Sequence, residues 1–427
     1  MTKSYNVGII GMGYVGLTLA IAFAQRGVNV TGVEVRQDIL DSIKSGKAHF
    51  KELGIDEALQ KCIRNGSLSF AERLASNQYD YCVMTVGTPL NAEGQVSFES
   101  LERAISGLPD FGEASEFTMI LRSTVAVGTS RALLDKLKAK GIQNVVFAPE
   151  RTIEGNALNE LYTLPQIIGA NNQIAMTKGE LIFSIITQKI IKVSSLEIAE
   201  LAKLFNNTYR DITFAVGNYF ALVAQQYGSN GIEAIAAANQ DYPRGGIPKP
   251  GFVGGPCLEK DPYILSYKKY ASTEIKLLDE FNFTMMSRTF NELLVEKFCH
   301  YIERHCNGSP IILSGIAFKG RPATSDLRGS MGIRLLHKIK EKCAVQGLHD
   351  FEAFKSEVVS ETGLDLQDLP DKGSGLCLVI ANNHTSYEHV TVECLESFDL
   401  IIDIQGALTR YQSSGLTNFI DFGSIAI

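Results

Sequence analysis

The sequence predicts an α/β protein with an N-terminal Rossmann domain, a central all-helical domain containing a long helix, and a smaller C-terminal Rossmann-like domain. Three observations predict it. Short Val/Ile-rich runs alternate with helical patterns up to residue 193. Helical periodicity without strand signals then runs from residue 194 to 306, and the strand–helix alternation returns from 307 to 427.

In chain order, YNVGIIG, VNVTGVEV, YDYCVMTVG, FTMILRSTV and NVVFAPE read as strands bounded by turn residues. Between them, LTLAIAFAQRG and SRALLDKLKAKG read as helices that end at glycine. From Ser194 the chain reads as one helix of more than 30 residues, followed by the Gly/Pro-rich loop DYPRGGIPKPGFVGGP. A further helical stretch covers Glu274 to His305. Helices of that length bury faces against each other or against a second subunit. PIILSGIAF, a helix from Met331 to Lys342, GLCLVIANN and FDLIIDIQG form the last alternation.

The composition agrees with a globular protein of two or three domains: 427 residues, 45% hydrophobic and 20% charged. It excludes disordered, collagenous and coiled-coil classes. With 40 Lys+Arg against 47 Asp+Glu, the net charge of −7 gives no electrostatic reason to expect nucleic acid or an acidic membrane as partner. No apolar run approaches the ~18 residues of a membrane helix. The glycine-interrupted N-terminus lacks a small-residue cleavage site, so no signal peptide and a cytoplasmic location are expected. The eight cysteines contain no C-x-x-C pair and suggest neither a disulfide framework nor a zinc ribbon. Their default reading is reduced, buried thiols.

GMGYVG places Gly11, Gly13 and Gly16 after the strand NVGII and at the head of a helix. Such glycines allow a tight turn, close approach of backbone to a pyrophosphate, and close helix–strand packing. Glu34 ends the second strand 23 positions after Gly11, where a carboxylate binds the ribose 2′-hydroxyl of NAD and repels the 2′-phosphate of NADP. Arg36, two residues on, softens that preference. The first domain is therefore read as dinucleotide-binding, with NAD as cofactor.

The most unusual stretch is GFVGGPCLEKDPY. Gly251, Gly254 and Gly255 precede Cys257, and Lys260 and Asp261 follow it by three and four residues. Glycines let a substrate come close, and a nearby cation favours thiolate over thiol. Cys82 and Cys377, by contrast, sit inside apolar runs as structural cysteines do.

On these motifs the chain resembles the nucleotide-sugar 6-dehydrogenases, the family of UDP-glucose, GDP-mannose and UDP-N-acetylhexosamine dehydrogenases. The likeness spans essentially the whole length, with GMGYVG, VGTP, RSTVAVGT, APERTIEG, ELAKLFNNTYRD, GFVGGPCLEKDPY and GIAFKG…SDLRGS in family order. The resemblance implies NAD-dependent oxidation of sugar C6 from alcohol to carboxylate, with two NAD reduced in turn. It implies Cys257 as the nucleophile of a thiohemiacetal and a thioester, and Asp261 as the aid to proton transfer in the alcohol step. Lys203 and Asn207, four apart on a predicted helix, share a face and would stabilise oxyanions. Glu150 would activate water for thioester hydrolysis, with Thr124 and Glu154 in support.

By the same likeness Tyr14, Val15, Thr88, Thr124 and Glu154 join Gly11, Gly13, Gly16, Glu34 and Arg36 around the cofactor. Glu150, Lys203, Asn207, Gly254, Lys260 and Lys319 line the substrate. Arg244 matches an arginine that in relatives reaches a neighbouring subunit's substrate, which implies a homodimer built on the long helices. Asp326 and Arg328 read as a structural pair. No metal is expected, and CHYIERHC is discounted because His300 and His305 do not share a helix face. His384 follows a strand of the last domain and reads equally as a nucleotide contact or a turn residue.

Departures bear on the sugar. Ala126 replaces the proline of the STVP motif, the stretch from Lys319 to Asp326 is longer than in UDP-glucose dehydrogenases, and Gln405 stands where relatives carry arginine after the last strand's aspartate. APER in place of SPEF leans towards the UDP-N-acetylhexosamine branch. Two other readings stay open at this level: a two-electron hydroxyacid-type dehydrogenase, which needs neither the Cys257 loop nor a second α/β domain, and a non-catalytic nucleotide-sugar-binding protein.

Overall fold

The structure, a computed structural model, describes residues 5–75, 79–91, 96–112, 116–411 and 415–424. Residues 1–4 of the N-terminal stretch read above lie outside them. By internal contacts the chain divides into two units: Met1–Asn206 with Tyr263–Lys276, and Asn207–Pro262 with Leu277–Ile427.

The first unit holds strands β1 (Asn6–Ile10), β2 (Asn29–Val33), β3 (Leu68–Ala71), β4 (Tyr81–Met84), β5 (Thr118–Leu121), β6 (Asn144–Phe147), β7 (Gln166–Ala170) and β8 (Ile190–Lys192). They form one sheet in the order β3-β2-β1-β4-β5-β6-β7-β8. The first six repeat the doubly wound arrangement of a Rossmann domain, with the strand order reversing between β1 and β4, which pair in parallel. β4, β5 and β6 are buried along their whole length, as parallel strands covered on both faces must be. Helix α1 (Tyr14–Gln25) is likewise buried from Gly16 to Ala24. The sequence did not mark β3, β7 or β8, which are short or only partly apolar. β7 runs antiparallel to β6 and extends the sheet beyond the Rossmann set.

The second unit contains β9 (Ile311–Ser314), β10 (Val345–His349), β11 (Cys377–Ile380), β12 (Leu400–Asp403) and β13 (Phe419–Asp421), parallel in the order β10-β9-β11-β12-β13. This is again a doubly wound order. The predicted helix 274–305 is two helices, Lys276–Glu280 and Phe283–Cys306. The break falls at Asn282, whose side chain accepts the Met285 N–H at 3.1 Å and so caps the second helix. That helix buries Leu294, Val295, Phe298 and Ile302 in one core with Leu335, Leu336 and Ile339 of the helix Met331–Ile339 and with β9.

The helix Leu196–Gln226 is continuous over 31 residues, as its periodicity predicts. An α/β chain with a Rossmann sheet first, a helical region carrying a long helix next, and a smaller parallel sheet last is the class read from the sequence. Among the described residues no helix is long and apolar enough to cross a membrane.

Candidate active site

The glycines of GMGYVG differ in what their geometry requires. Gly11 turns the chain with φ +94°, and a Cβ on Gly16 would lie 1.8 Å from the Gly11 carbonyl oxygen. A Cβ on Gly13 would meet nothing within 4 Å, so open space remains where backbone must approach a phosphate. Glu34, at the end of β2, accepts the Met12 N–H at 3.0 Å and those of Val35 and Arg36 at 2.8 and 2.9 Å. Its carboxylate is thereby locked beside the glycine turn. Arg36 pairs with Asp38 on the surface, so its charge is already matched.

The Tyr14 hydroxyl donates to Glu52, and the Gly155 N–H reaches that hydroxyl at 3.0 Å and the Glu52 carboxylate at 2.8 Å. Burial, and then the Glu52 carboxylate, raise the Tyr14 hydroxyl well above its ordinary pKa. Tyr14 thus ties the fingerprint turn to the RTIEG loop, where Glu154 is partly exposed. Val15 is partly buried at the head of α1. Open space at Gly13 and a fixed carboxylate at Glu34 fit NAD.

The loops leaving β4, β5 and β6 are tied to one another. Thr88 donates to the Thr124 carbonyl at 2.5 Å, and Ser123 to that of Val86 at 2.6 Å. Arg122, 3% exposed, donates to the Ala148 carbonyl at 3.0 Å and to Gln166 at 2.8 Å. Burial lowers its guanidinium to about 10. Arg122 therefore fixes the APE segment, and the Thr152 N–H donates to Glu150. The other Glu150 oxygen stands 3.7 Å from the Lys203 ammonium, with the two side chains 14% and 6% exposed. The sequence reading missed Arg122, although a lone arginine closing the apolar run FTMIL was the signal for it.

The second unit holds the thiol. Cys257 is partly exposed, and its carbonyl accepts the Asp261 N–H at 2.9 Å and the Lys260 N–H at 3.3 Å. This turn brings Asp261, at 0% exposure, against Asn207, whose amide donates to it at 2.6 Å. Lys260, expected as a cation for the thiol, pairs with Asp261 at 2.7 Å. A positive charge one residue from a buried carboxylate relieves that carboxylate's desolvation first. Gly254 and Gly255 leave no room for a side chain: a Cβ would stand 2.4 Å from the Gly329 carbonyl oxygen and 2.5 Å from the Phe318 ring, respectively.

Other residues singled out above fall in varied places. The Lys319 ammonium lies 5.3 Å from the centre of the Phe318 ring. Arg244 is exposed, its guanidinium donating to the Tyr242 hydroxyl at 3.1 Å. Asp326 and Arg328 form the structural pair, with the Arg328 Nε 3.0 Å from the carboxylate. The His384 Nδ1 accepts the Ser386 N–H at 3.0 Å. His300 and His305 bond to carbonyls four residues back on their own helix. Of the seven cysteines read as buried, Cys343, in the connection between the helix Met331–Ile339 and β10, and Cys394, in the short helix Val392–Glu396, prove partly exposed.

A Rossmann sheet with a dinucleotide cradle, a buried Lys–Glu pair and a cysteine in a glycine-rich turn define a dinucleotide-dependent oxidoreductase. The chain matches the NAD-binding domain of the UDP-glucose/GDP-mannose dehydrogenase family over residues 5–187 and that family's central domain over 197–283. It is 31% identical over 413 residues to the UDP-N-acetyl-D-mannosamine dehydrogenase of Pyrococcus horikoshii, covering 91% of this chain and 92% of that one. The solved structure of the UDP-D-ManNAc dehydrogenase of that organism superposes with a TM-score of 0.82 at 28% identity, over 99% of this chain and 100% of the other. A UDP-glucose dehydrogenase from Pyrobaculum islandicum shares the fold at TM-score 0.82 and 22% identity, over 99% of each chain. The chain belongs to the UDP-glucose/GDP-mannose dehydrogenase family. It is an NAD-dependent oxidoreductase that takes a nucleotide sugar through a four-electron oxidation.

Proposed function

We propose that the substrate is a UDP-N-acetylhexosamine of the N-acetylmannosamine type, oxidised at C6 through a thioester on Cys257. The sugar is supported by the APER motif and by the relatives whose names carry UDP-N-acetyl-D-mannosamine. The observation that carries the mechanism is the turn from Cys257 to Asp261, which presents a thiol and, four residues later, a fully buried carboxylate held by Asn207 and Lys260.

NAD, when bound, takes up the hydride at each of the two oxidations. Gly11, Gly13, Tyr14, Val15, Gly16 and Glu34 hold it, with Thr88, Thr124, Glu154 and Arg36 around them. In the first oxidation Asp261 receives the C6 hydroxyl proton. The Cys257 thiolate then adds to the aldehyde carbon. A C–S bond forms, and the carbonyl oxygen becomes an oxyanion beside the Lys203 and Asn207 donors. The second oxidation converts that thiohemiacetal to a thioester. Glu150 takes a proton from water, the hydroxide adds to the thioester carbon, and the C–S bond breaks to return the thiolate and release the carboxylate. Lys203, 3.7 Å from Glu150, neutralises charge as the water attacks. Lys260, Gly254, Lys319 and Arg244 complete the nucleotide-sugar contacts.

Functionally the chain divides into 1–193 for NAD, 194–306 for the catalytic helices and 307–427 for the nucleotide. It works as a homodimer through the long helix and resides in the cytoplasm, where thiols stay reduced. Ile198, Phe205, Tyr209, Val216, Phe220 and Tyr227 support the dimer: they follow one another at intervals of 7, 4, 7, 4 and 7 residues and are 39–81% exposed.

The test is NADH formation against a panel of UDP- and GDP-sugars. Two NADH per UDP-N-acetylmannosamine are expected, with no aldehyde released; one NADH per sugar refutes the thioester route. Cys257→Ala should lose turnover, whereas a two-electron enzyme would keep it.

A further inference from the structure

The loop from Gly251 to Glu259 has little to hold itself, since its glycines and proline form neither helix nor strand. Side chains from elsewhere in the same unit hold its peptide groups. Asn218 accepts the Gly251 N–H at 2.8 Å, and Gln405 donates to the Phe252 carbonyl at 3.1 Å. Arg288 donates through one nitrogen to the Val253 carbonyl at 3.0 Å and through another to the Leu258 carbonyl at 3.3 Å. Val253 stands four residues before Cys257 and Leu258 one after it, so a single guanidinium brackets the thiol.

Arg288 lies on the helix Phe283–Cys306 at 0% exposure. Its charge is matched by Asp211, also fully buried, at 2.7 Å and by Glu292 at 3.1 Å. Asn291 donates to both the Asp211 carboxylate and the Asp211 carbonyl at 3.1 Å, and accepts from Asn218 at 3.1 Å. The chain of bonds thus runs unbroken from Asp211 to Gly251. At the far end of the loop, Glu259 pairs with Arg334 at 2.9 Å.

A buried ion pair is a poor source of stability, because desolvation cancels most of its attraction and apolar side chains of like volume fill the same space as well. A packing role therefore gives no reason for an arginine at 288. The planar fork gives one: a lysine can neutralise Asp211 but cannot also reach carbonyls on both sides of Cys257.

We propose that Arg288 is the positioning residue of the reactive thiol, setting where the Cys257 sulfur stands through both oxidations and the hydrolysis. Gln405 steadies the same loop at Phe252. The proposal rests on the thioester reading above.

Arg288→Lys tests it, because lysine keeps the charge opposite Asp211 and removes the fork. In the folded variant kcat should fall about 100-fold while KM for the nucleotide sugar stays within about threefold, since a displacement near 1 Å costs that much. The rate of Cys257 alkylation by iodoacetamide, followed by mass spectrometry, should shift at least about fivefold. Gln405→Ala, on a partly exposed side chain, should lower kcat by about three- to tenfold without loss of fold. A folded Arg288→Lys with kcat within twofold of wild type, or with changes confined to KM or Tm, overturns the proposal. If Arg288→Lys does not fold, an unchanged kcat in Gln405→Ala overturns it instead. Failure of the underlying reading is separate: Cys257→Ala would then still yield two NADH per sugar, whatever Arg288 does.

Discussion

Gly13 and Gly16 stand three residues apart in one turn and have different physical requirements. Alanine at 13 meets open space, so Gly13→Ala should fold and melt as wild type yet bind NAD at least about tenfold more weakly, read by fluorescence titration. Alanine at 16 would collide with the Gly11 carbonyl oxygen, so Gly16→Ala should lower stability by about 1–3 kcal/mol or more, read by thermal unfolding. Equal behaviour of the two variants would refute this division. At the other end of the proposed mechanism, Glu150→Gln keeps the shape of the side chain and removes the carboxylate assigned there as base. It should give one burst of two NADH per active site and then stall, with an acyl-enzyme visible by mass spectrometry and steady turnover down about 10²–10⁴-fold. Glu150 was legible as the acidic residue of APE at a strand end. Its partner Lys203 is 53 residues away in sequence, and only folding sets the two 3.7 Å apart.

At the scale of elements, the long helix grips the turn after RSTVAV through Glu200. Its carboxylate accepts the Gly128 N–H at 2.6 Å and the Ser130 N–H at 2.8 Å, three residues before Lys203. Burial raises it to about 7, with the two N–H groups pulling the other way. The folded carboxyl therefore holds its proton more tightly than the unfolded one, whose ordinary value is 4.5. Between those two values the folded state binds more protons, so stability is lost as pH rises from about 4.5 to 7 and is flat above. Glu200→Gln should remove that slope, a difference of order 2–3 kcal/mol between pH 5 and pH 8 in urea unfolding. Asp403, buried and raised to about 6 against the N–H groups of Leu408, Ala407 and Gln405, contributes a slope of the same sign in both proteins, so the comparison isolates Glu200. Identical pH profiles would dismiss the assignment. The existence of these elements was readable from 3.6-residue and strand-like patterns. The clamps between them were not, because a glutamate on a helix carries the same local signal whether it faces water or a backbone turn.

For the whole molecule, the exposed stripe that recurs every 7 and 4 residues along the long helix is the apolar surface that the proposed dimer covers. Tyr209→Glu places a charge at 69% exposure in its middle and should convert a species of twice 46.7 kDa into a monomer by light scattering. A monomeric wild type, or a variant that stays dimeric, counts against the stripe as interface. By itself, the sequence determined the order of the two α/β regions and the long helix and the dinucleotide turn, and it singled out Cys257 among the eight cysteines. These depend on periodicity and on short spacings, which are local. The strands β3, β7, β8, β10 and β13 were lost to it, since a strand of three to five residues, at or next to a sheet edge, owes its pairing to its neighbour rather than to its own pattern. Only the tertiary structure decided that Lys260 answers Asp261, that Arg122 fixes the Glu150 segment, and that Arg288 with Asn218 and Gln405 grips the thiol loop. Those contacts join residues up to 153 positions apart, and their energetics come from burial, which no stretch of sequence encodes until the chain has closed around it.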